Sequence, residues 1–375
     1  MGRVRTPSPP APLAQAGEGR GRRWGFTLVE LLVVISILSV LLALLLPAVM
    51  ASRAAARRVE CQNNQQNLAV VMLSEVDAKR RFPASGHFSI RGVPHHTWIV
   101  SLLAGLERAD LAERWDLEQP SHDPQNQTVA TTSIPILVCP DDDSIQPGQG
   151  NLSYVVNGGF GWTHASPAPD CPSAFHVLGF PPVQPIDLNG NGVACPSGPE
   201  TDKVTDKELF FRTGLFFLEN WPYGTGTVRH HTAETVLDGL SSTLMFSENV
   251  RAGYDPYSAG ATGWSCPFAW RHSFFLSSYV CQDGRCGAGR VDYDRANSRR
   301  HPYALEAINA GLTQAEGEAP WPSSYHGDGV NVVFADGHVH FLSEKIDGPV
   351  YSSLVSPAGA SIEGPLKQVV VPGEY

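Results

Sequence analysis

From Phe26 to Pro47 the chain reads FTLVELLVVISILSVLLALLLP, and its only ionisable residue there is Glu30. At about 1.5 Å of rise per residue, a helix over this run crosses a hydrocarbon core of about 30 Å. The chain is therefore read as an anchor followed by a separate body. Five arginines precede the run (Arg3, Arg5, Arg20, Arg22 and Arg23) against one acid, Glu18. Positive charge before a membrane segment keeps the N-terminus cytoplasmic. This predicts a single-pass protein with its C-terminal body outside the cytoplasm.

Three fates fit an apolar run of this kind. A secretory signal has a shorter apolar region, roughly 7–15 residues, and is cut after it; here that cut falls after Ala51. A plain anchor is left uncut. Glu30 separates both from the third fate, because a carboxylate at the centre of a membrane helix costs roughly 2.5–3.5 kcal/mol, less near an end. It snorkels to the interface or it meets a cation. Cleavage between Gly25 and Phe26 supplies one, a new α-amino group four positions before Glu30.

Gly25-Phe26-Thr27-Leu28-Val29-Glu30 resembles the class III signal of type IV pilins and type II secretion pseudopilins. The resemblance implies that prepilin peptidase cuts after Gly25 and that Phe26 becomes the N-methylated terminus. It also implies that Glu30 is the assembly carboxylate, neutralising the terminus of a neighbouring subunit. Pro47 matches the family's helix-kinking proline, whose missing N–H opens or bends a helix. The implied partners are prepilin peptidase, other pilin-like subunits through the N-terminal helix, and the inner membrane.

The 375 residues carry a net charge of −10. Loss of residues 1–25 removes five Arg and one Glu and takes it to −14. An acidic exported body is a poor electrostatic match for nucleic acid, and no nucleic-acid partner is expected. With 36 Gly and 30 Pro, the remainder suits a loop-rich β-containing domain better than a helical bundle.

The chain divides into a basic leader (1–25), a transmembrane and assembly helix (26–50), its continuation (51–79) and an extracytoplasmic α+β domain (80–375), with a Pro-, Gly- and Asn-rich insertion at about 160–205. In the continuation, Leu68, Val71 and Met72 form a narrow apolar stripe, and Phe82-Pro83 stops the helix. Trp98–Trp115 is a second helix candidate. Ile134–Val138, Ser153–Val156 and Thr243–Glu248 read as strands. VNVVFA and HVHFL flank Asp336-Gly337, which suits a hairpin with a two-residue type I′ turn. That turn pairs Phe334 with Val339 and Val332 with Phe341 on one face, and Val333 with His340 and Ala335 with His338 on the other. The expected fold is α+β and pilin-like: a long N-terminal helix whose second half packs on an antiparallel sheet, with loop-rich insertions.

His326 followed after nine spacers by Asp336-Gly337 resembles the H-X9-DG signature of a large bacterial family of pilin-like proteins of unknown function. Leu137-Val138-Cys139-Pro140-Asp141, Ser153–Gly158 and Leu237–Leu244 leading to Glu248 resemble further pieces of that family, in its order. The sequence departs from the pattern at Ser242, where Asn is expected, and in the insertion. The family implies no catalytic activity.

Seven cysteines in an extracytoplasmic chain permit disulfides. Cys281 and Cys286 flank a short Gln-Asp-Gly-Arg loop, Cys171 and Cys195 stand at the base of the insertion, and Cys139 with Cys266 is the remaining guess. Cys61 then stands alone on the helix. Spacing does not fix the pairing. Asp187, Asn189 and Asn191, with Gly192, resemble the first half of a calcium loop, D-x-[DN]-x-[DN]-G. Position twelve is Gly198 rather than Glu, with Glu200 or Asp202 as substitutes. The two readings are a structural calcium site, the one cofactor the sequence suggests, and an Asn/Gly turn. His338 and His340 share a strand face, a spacing compatible with metal or simply with solvent. His326 and Asp336 are an acid/base pair or two loop-fixing groups; with no nucleophile and oxyanion donor nearby in the pattern, no enzyme is expected. Asp141-Asp142-Asp143 reads as a solvated turn, with a cation site as the alternative. The chain is read as a non-enzymatic pilin- or pseudopilin-like subunit of a secretion or surface filament. The alternative is a stand-alone membrane-tethered module binding glycan, protein or surface.

Overall fold

A computed structural model describes residues 27–160, 163–165, 172–174, 184–185, 188–192, 204–220, 230–253, 263–277, 280, 291–300, 304–362 and 366–368. The chain divides into two units, Met1–Arg53 and Ala54–Tyr375. Helix α1, Leu28–Lys79, contributes to both. In the first unit every large apolar side chain from Leu28 to Met50 is exposed. The helix runs unbroken through Pro47. It is the one described helix long and apolar enough to cross a membrane.

In the second unit the buried residues of α1 are Cys61, Gln65, Leu68, Ala69 and Met72. Their spacing of three and four places them on one helical face. The helix ends where Arg80 enters the left-handed region at φ 56°, just before Phe82-Pro83.

The order of elements after α1 is β1 (Gly86–Phe88), β2 (Pro94–Thr97), α2 (Trp98–Leu102), α3 (Ala109–Arg114), α4 (Pro124–Ala130), β3 (Tyr154–Phe160), β4 (Thr163–Ala165), β5 (Pro172–Ala174), β6 (Gln184–Pro185), α5 (Asp206–Phe211), β7 (Leu218–Glu219), β8 (Leu244–Glu248), α6 (Ala269–His272), β9 (Ser273–Leu276), β10 (Gly329–Phe334), β11 (Val339–Ser343) and α7 (Gly348–Val355). The fold is α+β. Its central sheet has the order β11-β10-β8-β3-β9. Pairing is antiparallel from β11 to β3, while β9 joins β3 in parallel. The sheet is thus mixed at one edge rather than antiparallel throughout. Strands β3, β8, β9 and β10 are buried along their whole lengths. That agrees with their near-continuous apolar runs, since a strand covered on both faces loses its alternation. Asn157 is the polar exception inside β3. Its Nδ2 donates to Leu244 O at 2.8 Å and Val355 O at 2.7 Å, and its Oδ1 accepts from Gly159 N at 2.9 Å. It ties β3 to β8 and to the end of α7.

Several expectations are corrected. Trp98–Trp115 is not one helix. It splits into α2 and α3, with Glu107 at φ 59° between them. A Cβ on Gly105 would sit 2.6 Å from Val71 Cγ1, so this connection runs against α1 too closely for a continuing helix surface. Ile134–Val138 is not a strand; Pro135–Leu137 is a single 3₁₀ turn, with proline at its first position.

The hairpin exists, but its register is one residue away from the expected one. Val333 pairs with Val339, Val332 with His340 and Asn331 with Phe341. The connection has three residues, not two. Gly337 N donates to Phe334 O at 2.9 Å and Phe334 N to His338 O at 3.0 Å. Gly337 alone has positive φ, 95°, whereas a type I′ turn needs it at Asp336 as well. Asp336 instead turns its Oδ1 onto His338 N at 3.1 Å and His338 Nδ1 at 2.6 Å. Because the side-chain period is two, the slip moves both histidines onto the face of Phe334. His338 stacks on that ring at 4.2 Å.

Candidate functional site

Two groups of residues carry the candidate chemistry, one in each unit. In the first, Gly25 and Phe26 lie outside the described residues. Glu30 is described, in the first turn of α1. Its Oε2 accepts from Thr27 N at 2.9 Å and Thr27 Oγ1 at 2.8 Å, and Glu30 N donates to Thr27 Oγ1 at 3.2 Å. This is a capping box, in which Thr and Glu three apart satisfy each other's backbone N–H. The Thr27-x-x-Glu30 pattern was present in the sequence and carries this second role beside the carboxylate's charge. In the single chain the carboxylate is held at the mouth of the apolar segment, on the side of its own N-terminus.

The second group is built where α1 meets the sheet. The polar stretch of α1 that follows Cys61 is a row of amides docked on the hairpin. Gln62 Nε2 donates to Asn331 Oδ1 at 3.0 Å, Gln65 Nε2 to Asn331 O at 3.1 Å and Gln66 Nε2 to Gly337 O at 3.1 Å. Asn64 Nδ2 reaches Val138 O at 3.3 Å. Arg58 lies 3.5 Å over the Phe341 ring, a cation–π contact. Local spacing does not show these partners: those of Gln62, Gln65 and Gln66 come from the hairpin some 270 positions away, and that of Asn64 from Val138, 74 positions away.

His326 stands in the middle of this region with its side chain 1% exposed. Its Nε2 lies 3.1 Å from Glu248 Oε1 and 3.3 Å from Cys139 Sγ. Its Nδ1 lies 3.0 Å from Asp141 Oδ2, an ion-pair distance off the hydrogen-bond direction. Glu248, wholly buried at the end of β8, is held by Asn331, whose N donates to Oε2 at 2.8 Å and whose Nδ2 donates to Oε1 at 2.9 Å. Asp141 also pairs with Arg57 of α1. Buried carboxylates are tolerated only when paired and hydrogen-bonded; the buried Glu248 is, and the half-buried Asp141 has two cationic or ionisable neighbours, Arg57 and His326.

The structure therefore separates His326 from Asp336. The two sit at opposite ends of β10, and each has other partners. Asp141-Asp142-Asp143 is a solvated turn only at Asp143. Asp142 is buried and accepts from Ser144 N at 2.9 Å, Ser144 Oγ at 2.6 Å and Ser153 Oγ at 2.6 Å. Burial raises its carboxyl above the usual range, and these hydrogen bonds act against that rise. Asp143 faces Arg251 at 3.4 Å.

The disulfide guess is overturned at the same place. Cys61 is bonded to Cys139, with their Cα atoms 5.3 Å apart. Cys61 is thus the opposite of a lone helix cysteine, and Cys266 is buried elsewhere without joining Cys139. The helical position of Cys61 on the buried face, in phase with Leu68 and Met72, was the available signal. The expected Cys171–Cys195 and Cys281–Cys286 pairs lie outside the described residues, as does Asp187 of the calcium-loop pattern. Of that pattern, Asn189 Oδ1 accepts from Asn191 N at 3.0 Å, an Asx turn, and Asn189 Nδ2 donates to Val204 O at 3.1 Å.

Residues 50–348, more than half of the chain, match the family described as Protein of unknown function (DUF1559). The chain belongs to this family. Residues 23–46 match the prokaryotic N-terminal methylation motif, which covers Gly25, Phe26 and Glu30. No curated protein and no solved structure matches the chain. A DUF1559 chain with this motif and one exposed apolar N-terminal helix is a pilin-like protein suited to membrane anchoring.

Proposed function

We propose that this DUF1559 chain is a non-enzymatic pilin- or pseudopilin-like subunit of a secretion or surface filament. Prepilin peptidase cuts between Gly25 and Phe26 and the new terminus is N-methylated. α1 first spans the inner membrane, N-terminus inward, and then passes into a helical bundle of like subunits. Glu30 exchanges its own Thr27 cap for the terminal amine of a neighbour, and apolar helix contacts replace lipid. The observation that carries this reading is the bare, largely apolar flank from Leu28 to Met50, whose one charged group is a capped carboxylate in its first turn. The cap alone does not need the charge, since Gln serves at the same position of a capping box, and a plain membrane anchor gains nothing further from an ionised group there.

Mass spectrometry of the N-terminal peptide from native membranes tests it. A mature chain starting at N-methylated Phe26 is expected. A chain that keeps its leader, or one that starts at Ser52, would sink the filament mechanism. A cleft of about 360 Å³ favours a second reading, the tethered binding module; Lys79, Arg81, His87, His96, His230 and Trp115 are among its lining. Glu30→Ala separates the two. It abolishes assembly of a filament subunit and leaves a tethered binder active.

A further inference from the structure

We propose that Cys61, Cys139, His326 and Glu248 form a site for a divalent ion of the zinc class, open when the Cys61–Cys139 disulfide is reduced and closed when it is oxidised. One donor atom from each of the four residues lies within 4.8 Å of the others. Four ligands around a tetrahedral ion with bonds of about 2.0–2.3 Å stand roughly 3.3–3.8 Å apart, so small side-chain movements suffice. Two thiolates, one imidazole nitrogen and one carboxylate oxygen are donors such an ion accepts.

The surroundings are those of a supported site rather than a chance cluster. Metal-bound histidine is normally oriented by a carboxylate on its far nitrogen; Asp141 lies 3.0 Å from His326 Nδ1, off the hydrogen-bond direction and within a small rotation of it, while Nε2 lies against Cys139 and Glu248. Asn331 fixes both oxygens of Glu248. Cys61, Cys139 and Glu248 are wholly buried, so the site is shielded from water. The donors come from α1, the turn before β3, the end of β8 and the loop before β10, so only the folded domain assembles them. Paired cysteine motifs in the sequence do not reveal the site, because no two of its ligands are close along the chain.

The chemistry balances with a dithiol as reductant. The Cys61–Cys139 bond takes up two electrons and two protons as the dithiol becomes its own disulfide. The ion then displaces both thiol protons, forming two metal–sulfur bonds and releasing two protons to solvent.

Cobalt(II) is the probe, added without oxygen to the reduced full-length chain in detergent. A thiolate-to-cobalt charge-transfer band and tetrahedral visible bands should saturate at one ion per chain, and the oxidised chain should show neither. Cys61→Ser/Cys139→Ser, which leaves the other cysteines in place, should lose the band; a band that persists there belongs to other thiols and overturns the proposal. His326→Ala should weaken binding at least about tenfold, and Asp141→Asn by about 10–100-fold with the band position unchanged. A reduced chain with native circular dichroism and no band overturns the proposal, as does His326→Ala binding like the parent. Should reduction cost the native fold, Cys61→Ser keeps three donors and should give a weaker single-thiolate band. Absence of that band, or loss of fold there too, also overturns it.

Discussion

Removing the disulfide with Cys61→Ala/Cys139→Ala tests how α1 is held to the domain. The bond closes a loop of sequence separation 78. In the chain-entropy treatment, a loop of that size removes about 15 cal/mol/K from the unfolded ensemble, or about 4.5 kcal/mol at 25 °C. Residual structure in the unfolded chain lowers such values, so a loss of about 2–4 kcal/mol is expected. The row of amide bonds from Gln62 to Gln66 and the apolar contacts of Leu68 and Met72 remain in place, so the fold should survive. Urea unfolding of the full-length chain in detergent, followed by tryptophan fluorescence, reads the effect. With a slope of about 3 kcal/mol per molar for a domain of this size, the midpoint falls by about 1 M. A fall below about 0.2 M with the slope unchanged would refute the reasoning, because the cross-link would then not restrict the unfolded chain.

Stability should also fall as the solution is acidified from about pH 6.5 to about pH 4. Burial lowers His231 and His272 from 6.5 to about 4, so the folded state keeps both neutral. Their contribution is complete above the unfolded value and is lost as pH drops toward the folded one, about 3 kcal/mol for each; a flat urea midpoint across that window contradicts the assignment. Gly337→Ala should cost about 1–3 kcal/mol, read by thermal unfolding, since an L residue is strained at φ 95° and its Cβ would stand 2.8 Å from Leu73 Cδ1. A wild-type melting temperature would contradict the strain argument.

What the sequence made legible was set by local signals. The long helix, β3, β8 and the existence of the hairpin follow from apolar runs bounded by turn residues, and the T-x-x-E cap of α1 lies within four positions. What failed either lay in a turn geometry that the Asp-Gly pair does not specify, as at the hairpin, or depended on partners far along the chain. The hairpin register turned on whether Asp336 adopts positive φ, and the Asp336–His338 contact decided that. The break between α2 and α3 depends on how close Gly105 passes to Val71. The parallel addition of β9 to β3 leaves no mark on either strand. In the candidate site, His326, Glu248, Cys139 and Asp141 were visible as pieces of a family pattern, but their meeting with one another and with Cys61 required four separate segments to converge.

The position of the cross-link also decides which parts of the domain feel a pull. Force entering along α1 at residue 54 and leaving beyond residue 139 has a covalent shortcut from Cys61 to Cys139. Residues 62–138, which include the last third of α1, β1, β2, α2, α3 and α4, lie inside the closed loop and carry no tension once the bond is taut. The load passes instead directly to the turn that leads into β3, next to the centre of the sheet. A subunit dragged by its N-terminal helix would in this way stretch a sulfur bridge before it peeled the helix from its sheet, and reduction of that one bridge would change its breaking strength without altering its shape.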